Sequence, residues 1–425
     1  MVGRAAKALS CKWFAALMVV ASLVAGEAYA ATGRQQIEAG FAAWRQALWT
    51  EASAAGVSRK TFDGALGGVT LDWSLPDLEP PGGAAAAERK PTRQAEFGSP
   101  GRYFSPTNLS ILIERGRAER DKRRADLDAI ERRYGVPHQI LLAIWGRETA
   151  YGTVKIPSDA IRSLATQAYI GRRAEFFRGQ LIAALKLLEG GHASRQALRS
   201  SWAGAMGHTQ MLPTHILDYG VDFDQDGRRD VWGSVADALA ATANYLQKNG
   251  WQAGLPWGYE VTPLPDVDCT LEGPHQGRPF AEWLAMGYAR TKGRTLPAGR
   301  LKTTGHLLMP AGRHGPAFLV TENFYVLKTY NESDLYALYV GHLADRLDKD
   351  SGFEGRWGEV AAHARSEVKA LQNVLVAKGY NVGDTVDGLV GFRTRIAVGD
   401  YQRKNGLTVD CWPGSQTLAR ARRQD

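Results

Sequence analysis

Glu148 follows directly on Ile140-Leu141-Leu142-Ala143-Ile144-Trp145, a run apolar on every side, with Tyr151 and Gly152 just beyond it. Pro137 can open a helix there, so the run predicts a buried helix over 137–149 with the carboxylate at its C-terminal end. That end carries the negative pole of the helix dipole, a poor place for a merely stabilising carboxylate. Partial desolvation by Trp145 and Tyr151 would act in the same direction and keep the acid protonated near neutrality. A general acid that protonates a leaving oxygen needs that state. The plainer alternative is a surface Glu paired with Arg147 or another cation.

A second constellation is Ser201-Trp202-Ala203-Gly204-Ala205-Met206-Gly207-His208-Thr209-Gln210-Met211-Leu212-Pro213-Thr214. Small residues and glycines let backbone approach a ligand closely. Ser201 and Gln210 supply neutral hydrogen-bonding groups beside Trp202, a lining that suits the hydroxyls and amides of a sugar. A tight glycine- and alanine-packed helix contact is the alternative. His208 has no cysteine or second histidine at metal spacing, so zinc is set aside. A third constellation is Asp222-Phe223-Asp224-Gln225-Asp226-Gly227-Arg228-Arg229-Asp230. Carboxylates at positions 1, 3 and 5 with glycine at 6 make the first half of a calcium loop. Arg228 would offer its carbonyl and Asp230 a water-mediated contact, but Gly233 stands where a bidentate Glu is usual. A solvated acidic turn capping a helix from Ser234 is the alternative.

The elements that must position these groups are mainly helical. Ile37, Phe41, Trp44, Leu48 and Trp49 recur at helical spacing and predict one helix over 36–66. From Pro76 to Gly83 and through the following alanines the chain reads as an irregular connection. Ser105 before Pro106 suits an N-cap with proline at the first helical position, and Leu109, Ile113, Leu127 and Ile130 carry the stripe that follows. Further helices are expected at 174–189, 213–218, 234–249 and 333–346. Strand-like runs such as Ala317-Phe318-Leu319-Val320 are sparse. Gly352 to Gly358 reads as a linker, and beyond it Val368, Leu371, Val374 and Leu375 make a helix face that Gly379 ends.

Arg4, Lys7 and Lys12 precede an apolar stretch from Trp13 to Ala25, and Ala28-Tyr29-Ala30 fits the small-x-small cleavage pattern of a secretory signal peptide. The apolar stretch covers thirteen residues, short of the ~20 that span a bilayer. Cys11 precedes the apolar core, so it makes no lipid-attachment site. The chain carries 52 Lys and Arg against 44 Asp and Glu, a net charge of +8. An exported basic protein rarely meets nucleic acid, whereas bacterial cell wall offers it carboxylates. Export also places Cys269 and Cys411 in an oxidising compartment; one bridge and two free thiols both remain open, with the two residues expected in different domains.

The Glu148 segment, Gly171-Arg172-Arg173-Ala174-Glu175-Phe176-Phe177, Ala203-Gly204-Ala205-Met206-Gly207, and Phe324 through Asn331 occur in that order. Together they resemble the lytic murein transglycosylase B family, whose core is similar to goose-type lysozyme, over about Gln35 to Arg346. The last sixty residues resemble a small helical peptidoglycan-binding domain through Leu371-Gln372, Gly379-Tyr380, Asp387-Gly388, Gly391, Thr394-Arg395, Tyr401-Gln402 and Gly406-Leu407. Cys411 departs from the glycine usual after Asp410. The resemblance implies that Glu148 is the sole catalytic acid/base. It implies that Ser201 and Gln210 contact the sugar near the cleavage point, and that Arg172 and Arg173 lie beside peptide and glycan. Tyr245, Tyr330, Asn331 and Tyr336 match cleft residues, with core packing an equal alternative for the tyrosines. The family's acidic loop is similarly atypical, and Asp237 could supply its distant carboxylate to a structural calcium alongside Asp222, Asp224, Asp226 and Arg228. No cofactor is implied for the chemistry.

The expectation is therefore a mainly α protein: a lysozyme-like α-helical catalytic domain with a small helical C-terminal wall-binding domain. Its expected divisions are a signal peptide at 1–30, a catalytic region at 31–350 with its core about 105–260, a linker at 351–365 and a wall-binding domain at 366–425. The expected activity is cleavage of the MurNAc–GlcNAc β-1,4 bond of peptidoglycan with 1,6-anhydro ends, in the periplasm. The expected partners are glycan strands and other cell-wall enzymes, with no membrane span after processing and no nucleic acid. A hydrolytic muramidase and a non-catalytic wall-binding scaffold are the rival readings.

Overall fold

A computed structural model describes residues 33–81, 99–263, 268–349, 352–360 and 363–423. The expected signal peptide lies outside the described residues. The described residues form two compact units, each assembled from two stretches: those within 33–81 and 156–234, and those within 99–155 and 235–423.

In the first unit, the helix expected over 36–66 is two helices, 33–54 and Arg59–Leu66. Gly56 turns the chain at φ +89°, and the Ser58 hydroxyl accepts from the Thr61 N–H to start the second helix. A left-handed residue cannot continue a right-handed helix, so the apolar periodicity runs on while the backbone breaks. Ile37, Phe41 and Leu48 are buried as the stripe predicts. Ala160–Ile170 packs on Ala174–Glu189, which in turn carries Pro213–Tyr219. Asp159 caps the first of these by accepting from the Arg162 N–H. The two-residue strands Ser158–Asp159 and Arg199–Ser200 pair antiparallel.

The second unit holds Pro106–Lys122, Arg124–Tyr134, His138–Thr149, Val235–Lys248, Glu322–Tyr330 and Asp334–Asp348. Pro106 takes the first position of its helix as expected, but the Ser105 side chain makes no capping bond. A five-stranded antiparallel sheet adjoins these helices, in the order Arg278–Pro279, Thr304–Leu308, Ala317–Val320, Gly258–Thr262, Ala289–Arg290. Three C-terminal helices, Arg365–Ala377, Phe392–Lys404 and Ser415–Arg422, close around Leu371, Leu375, Val398 and Tyr401.

Two features of the second unit show how its parts are held together. The glycine-rich stretch is packed down rather than free: Phe353 stacks on His342 at 3.8 Å and Trp357 on Phe104 at 5.1 Å. Glu260 accepts from the Glu354 and Gly355 N–H groups at 2.9 and 2.6 Å. Aromatic burial outweighs what the glycines could do as flexible joints, and burial in turn pushes His342 down to about 3. Cys269 and Cys411 are joined in a disulfide across 142 positions. The bridge ties the C-terminal helices to the residues around the sheet, where Phe280, Trp283 and Leu307 pack with both sulfurs. Among the described residues no helix is long and apolar enough to cross a membrane.

Candidate active site

Helix His138–Thr149 buries every residue from Ile140 to Gly146 and packs against Asp334–Asp348. It stops abruptly: Ala150 and Tyr151 are both left-handed, at φ 47° and 61°. Glu148 therefore sits on the last turn, half-buried. Trp145 and Tyr151 pack edge-on against each other at 5.3 Å, and the Tyr151 hydroxyl donates to the Leu112 carbonyl. Tyr336 instead donates its hydroxyl to Glu148 Oε1 at 2.6 Å. Burial holds the Glu148 carboxyl above its usual range, against the opposing Tyr336 bond and Arg147 charge. Arg147 is no close ion partner: its guanidinium donates to the Tyr103 hydroxyl at 2.7 Å and lies over the Tyr103 and Tyr339 rings.

The three named tyrosines form one cluster behind the acid. Tyr330 lies parallel to Tyr336, with centroids 6.5 Å apart and planes 1° from parallel. Tyr245 meets Tyr330 edge-on at 5.4 Å and donates its hydroxyl to the Thr329 carbonyl. Tyr336 and Tyr245 are buried and Tyr330 half-buried. Asn331 is exposed and accepts from the Ser333 N–H, while the Ser333 hydroxyl accepts from the Tyr336 N–H. The side-chain cap thus sets the first turn of the helix that presents Tyr336. A groove of about 490 Å³ runs past Asn331 and Ser333 to Thr385 in a C-terminal loop and to Phe392 and Thr394 on helix Phe392–Lys404.

In the first unit, Ser201 and Gln210 lie on one compact loop. The Ser201 N–H donates to the Ala205 carbonyl, and the Ser201 hydroxyl accepts from the Ala205 N–H. Met206 and Met211 exchange backbone bonds across the tip, and Gln210 turns at φ 54° with its side-chain amide donating to the Gly207 carbonyl. Gly207 has φ +70°, and a side chain there would meet the Val231 carbonyl at 2.5 Å. Here the glycine is required by both strain and space. Arg172 pairs with Asp77 at 3.0 Å, and Arg173 lies over Phe176 and Phe177; both arginines are exposed.

The acidic loop also closes on itself in the first unit. The Gly227 N–H donates to Asp222 Oδ2, and the Ser234 hydroxyl donates to Asp224 Oδ2 at 2.6 Å. Asp226 is turned onto the Arg228 guanidinium at 3.1 Å. Asp230 accepts from the Trp232 and Gly233 N–H groups. The observation that fits a hard cation is Asp222 Oδ1, buried with no hydrogen-bond partner. A desolvated carboxylate oxygen without a partner is costly unless something positive meets it. Asp237 opens Val235–Lys248 in the second unit and is buried.

Comparison with known proteins settles the family. The profile described as Transglycosylase SLT domain matches residues 40–345, and that described as Putative peptidoglycan binding domain matches 364–420. The chain belongs to the transglycosylase SLT family. SltB3 from Pseudomonas aeruginosa, solved in complex with NAG-anhNAM-pentapeptide, is 40% identical with a TM-score of 0.81, over 90% of this chain and 99% of that one. Slt35 from Escherichia coli, solved with calcium, is 28% identical with a TM-score of 0.51, over 60% and 80% of the two chains. Membrane-bound lytic murein transglycosylase B of Escherichia coli is 32% identical over 219 residues, 50% of this chain. That match spans 58% of the length of the curated relative. The fold of this transglycosylase chain is accordingly lysozyme-like, with a helical peptidoglycan-binding domain at its C-terminus.

Proposed function

We propose that the chain is a periplasmic lytic transglycosylase that cleaves the MurNAc–GlcNAc β-1,4 bond of peptidoglycan, with Glu148 as its one acid/base. The observation that carries the reading is the Glu148 carboxyl, held above its usual range by burial with Oε1 taken by the Tyr336 hydroxyl. Oε2 then carries the proton. It passes to the glycosidic oxygen as the bond to the anomeric carbon breaks, which releases the 4-hydroxyl of GlcNAc. The carboxylate next takes the proton of the muramic 6-hydroxyl as that oxygen closes on the anomeric carbon. Glu148 is restored, no water is consumed, and the product end is a 1,6-anhydro sugar. A neighbouring hydroxyl reaches effective molarities on the order of 10⁵ M or more when well oriented, so the second carboxylate of ordinary glycosidases is dispensable. Ser201, Gln210, Arg172, Arg173 and Asn331 would hold the sugars and stem peptide, and the C-terminal helices would hold the wall. SltB3, seen with NAG-anhNAM-pentapeptide and NAG-NAM-pentapeptide, supports this substrate class.

Digestion of purified sacculi in heavy-oxygen water tests the reading. Intramolecular closure yields unlabelled muropeptides one water lighter than hydrolysis products. Predominantly labelled reducing ends would overturn the lytic step and favour a muramidase, and no cleavage at all would favour a scaffold.

Calcium belongs to the same proposal as a structural ion. Asp222 and Asp224 would be its carboxylates, and Arg228 would contribute a carbonyl. Asp226 is tied to Arg228 and is left out. Binding to the folded state raises the melting midpoint by linkage. The midpoint should rise with calcium over chelator in the wild type and stay flat in Asp222→Asn. Equal midpoints in the wild type would leave the loop an acidic turn.

A further inference from the structure

Arg395 is the most enclosed cation of the C-terminal helices, with 2% of its side chain exposed. It donates through Nε and Nη2 to both oxygens of Glu272, at 2.9 and 2.6 Å, and through Nη2 to Asp334 Oδ2 at 2.9 Å. Glu272 is fixed in turn by the Met309 N–H at 2.8 Å. Asp334 also receives Lys328, which lies at 2.6 Å on the helix that ends with Tyr330. Burial pushes the Asp334 carboxyl up, but Lys328 and Arg395 outweigh it and hold it below its ordinary value. Asp334 is the first residue of the helix whose third residue, Tyr336, donates to Glu148. A short path therefore runs from the C-terminal helices to the catalytic carboxyl: Arg395, Asp334, two residues along one helix to Tyr336, and Glu148.

We propose that Arg395 is a positioning residue, through which the C-terminal domain holds the Tyr336 hydroxyl against Glu148. The inference rests on Glu148 being the acid. Arginine suits the task because its planar fork meets Glu272 through two N–H groups while reaching Asp334, a fixed geometry that the compact lysine ammonium does not supply. Tyr336 and Arg147 are the titratable and charged groups of this unit that act on Glu148, and Tyr330 stands behind Tyr336. A hydrogen bond donated to the charged carboxylate lowers its pKa. Loosening Tyr336 therefore moves the alkaline limb of the pH–rate profile upward, because the acid stays protonated to higher pH.

The test uses the full-length protein on short soluble muropeptides, so that wall binding does not enter. Arg395→Met, checked for a cooperative melt, should lower kcat at least ~10-fold, leave KM within about twofold, and shift the alkaline limb upward. Tyr336→Phe should shift it the same way, and the double variant should shift it no further. An unshifted limb in folded Arg395→Met, or shifts that add in the double variant, would overturn the inference. Should Arg395→Met fail to fold, Arg395→Lys decides by the same limb, since it keeps the charge and loses the fork. Glu148→Gln separates the two claims. If it is inactive while the Arg395 limb is unmoved, the positioning role alone fails; if it is active, the acid assignment fails first.

Discussion

Glu148→Gln is expected to lower turnover on purified sacculi by at least ~10²-fold, the lower end of what general acid–base catalysis contributes. Glutamine keeps the volume and still accepts from the Tyr336 hydroxyl at Oε1, so the local packing survives. It has no proton to give to a leaving oxygen and no charge with which to take one back. Binding of insoluble wall should be unchanged, and the melting midpoint equal to or above that of the wild type, since the substitution removes a carboxyl that burial disfavours in its charged form. The sign for pH follows from the same carboxyl. Cleavage begins with the protonated form, so the rate falls as pH rises through a pKa lying above the ordinary glutamate value. Wild-type turnover in Glu148→Gln, or a profile whose alkaline limb survives the substitution, would remove Glu148 from the chemistry.

How far the sequence could be read depended on how local the cause was. Helix Ala174–Glu189 has the bounds its pattern predicts, because the apolar face lies within it and Gly190 caps it at the next residue, so both causes are local. Helix His138–Thr149 was legible for the same reason, and Glu148 with it. The sheet was not, apart from Ala317–Val320. Its strands are two to five residues long, and that central one is buried throughout, so it shows no alternation to read. The acid's partner was half-legible. Tyr336 could be named as a cleft residue, but its bond to Glu148 spans 188 positions, and nearby Trp145 and Tyr151 looked like better candidates. Arg395 was legible only as part of a Thr-Arg motif. Its ion pairs come from residues 61 and 123 positions away, and a basic residue in a polar helix reads as solvated until those contacts exist.

Deleting residues from 364 onward is expected to damage the whole second unit, rather than to remove a separable wall anchor. A glycine-rich joint followed by a small helical domain reads as detachable, and on that basis cleavage of soluble fragments would survive the deletion. The contacts argue otherwise. Glu272 is fully buried and its principal partner is Arg395, so deletion removes the cation that compensates its charge. Breaking such a pair costs about 3–5 kcal/mol. The Cys269–Cys411 bridge goes as well, and losing a native disulfide that closes a long loop costs about 2–5 kcal/mol. The two losses fall on adjoining parts of one interface and will not simply add. The larger alone should lower the melting midpoint by roughly 10 °C or more in a unit of this size. Calorimetry of the truncated chain beside full-length Cys269→Ser/Cys411→Ser separates the contributions: the cysteine variant should melt between the truncated and wild-type proteins. A truncated chain that melts with the wild type and cleaves soluble fragments at the wild-type rate would restore the detachable anchor, and with it a catalytic body indifferent to what holds the wall.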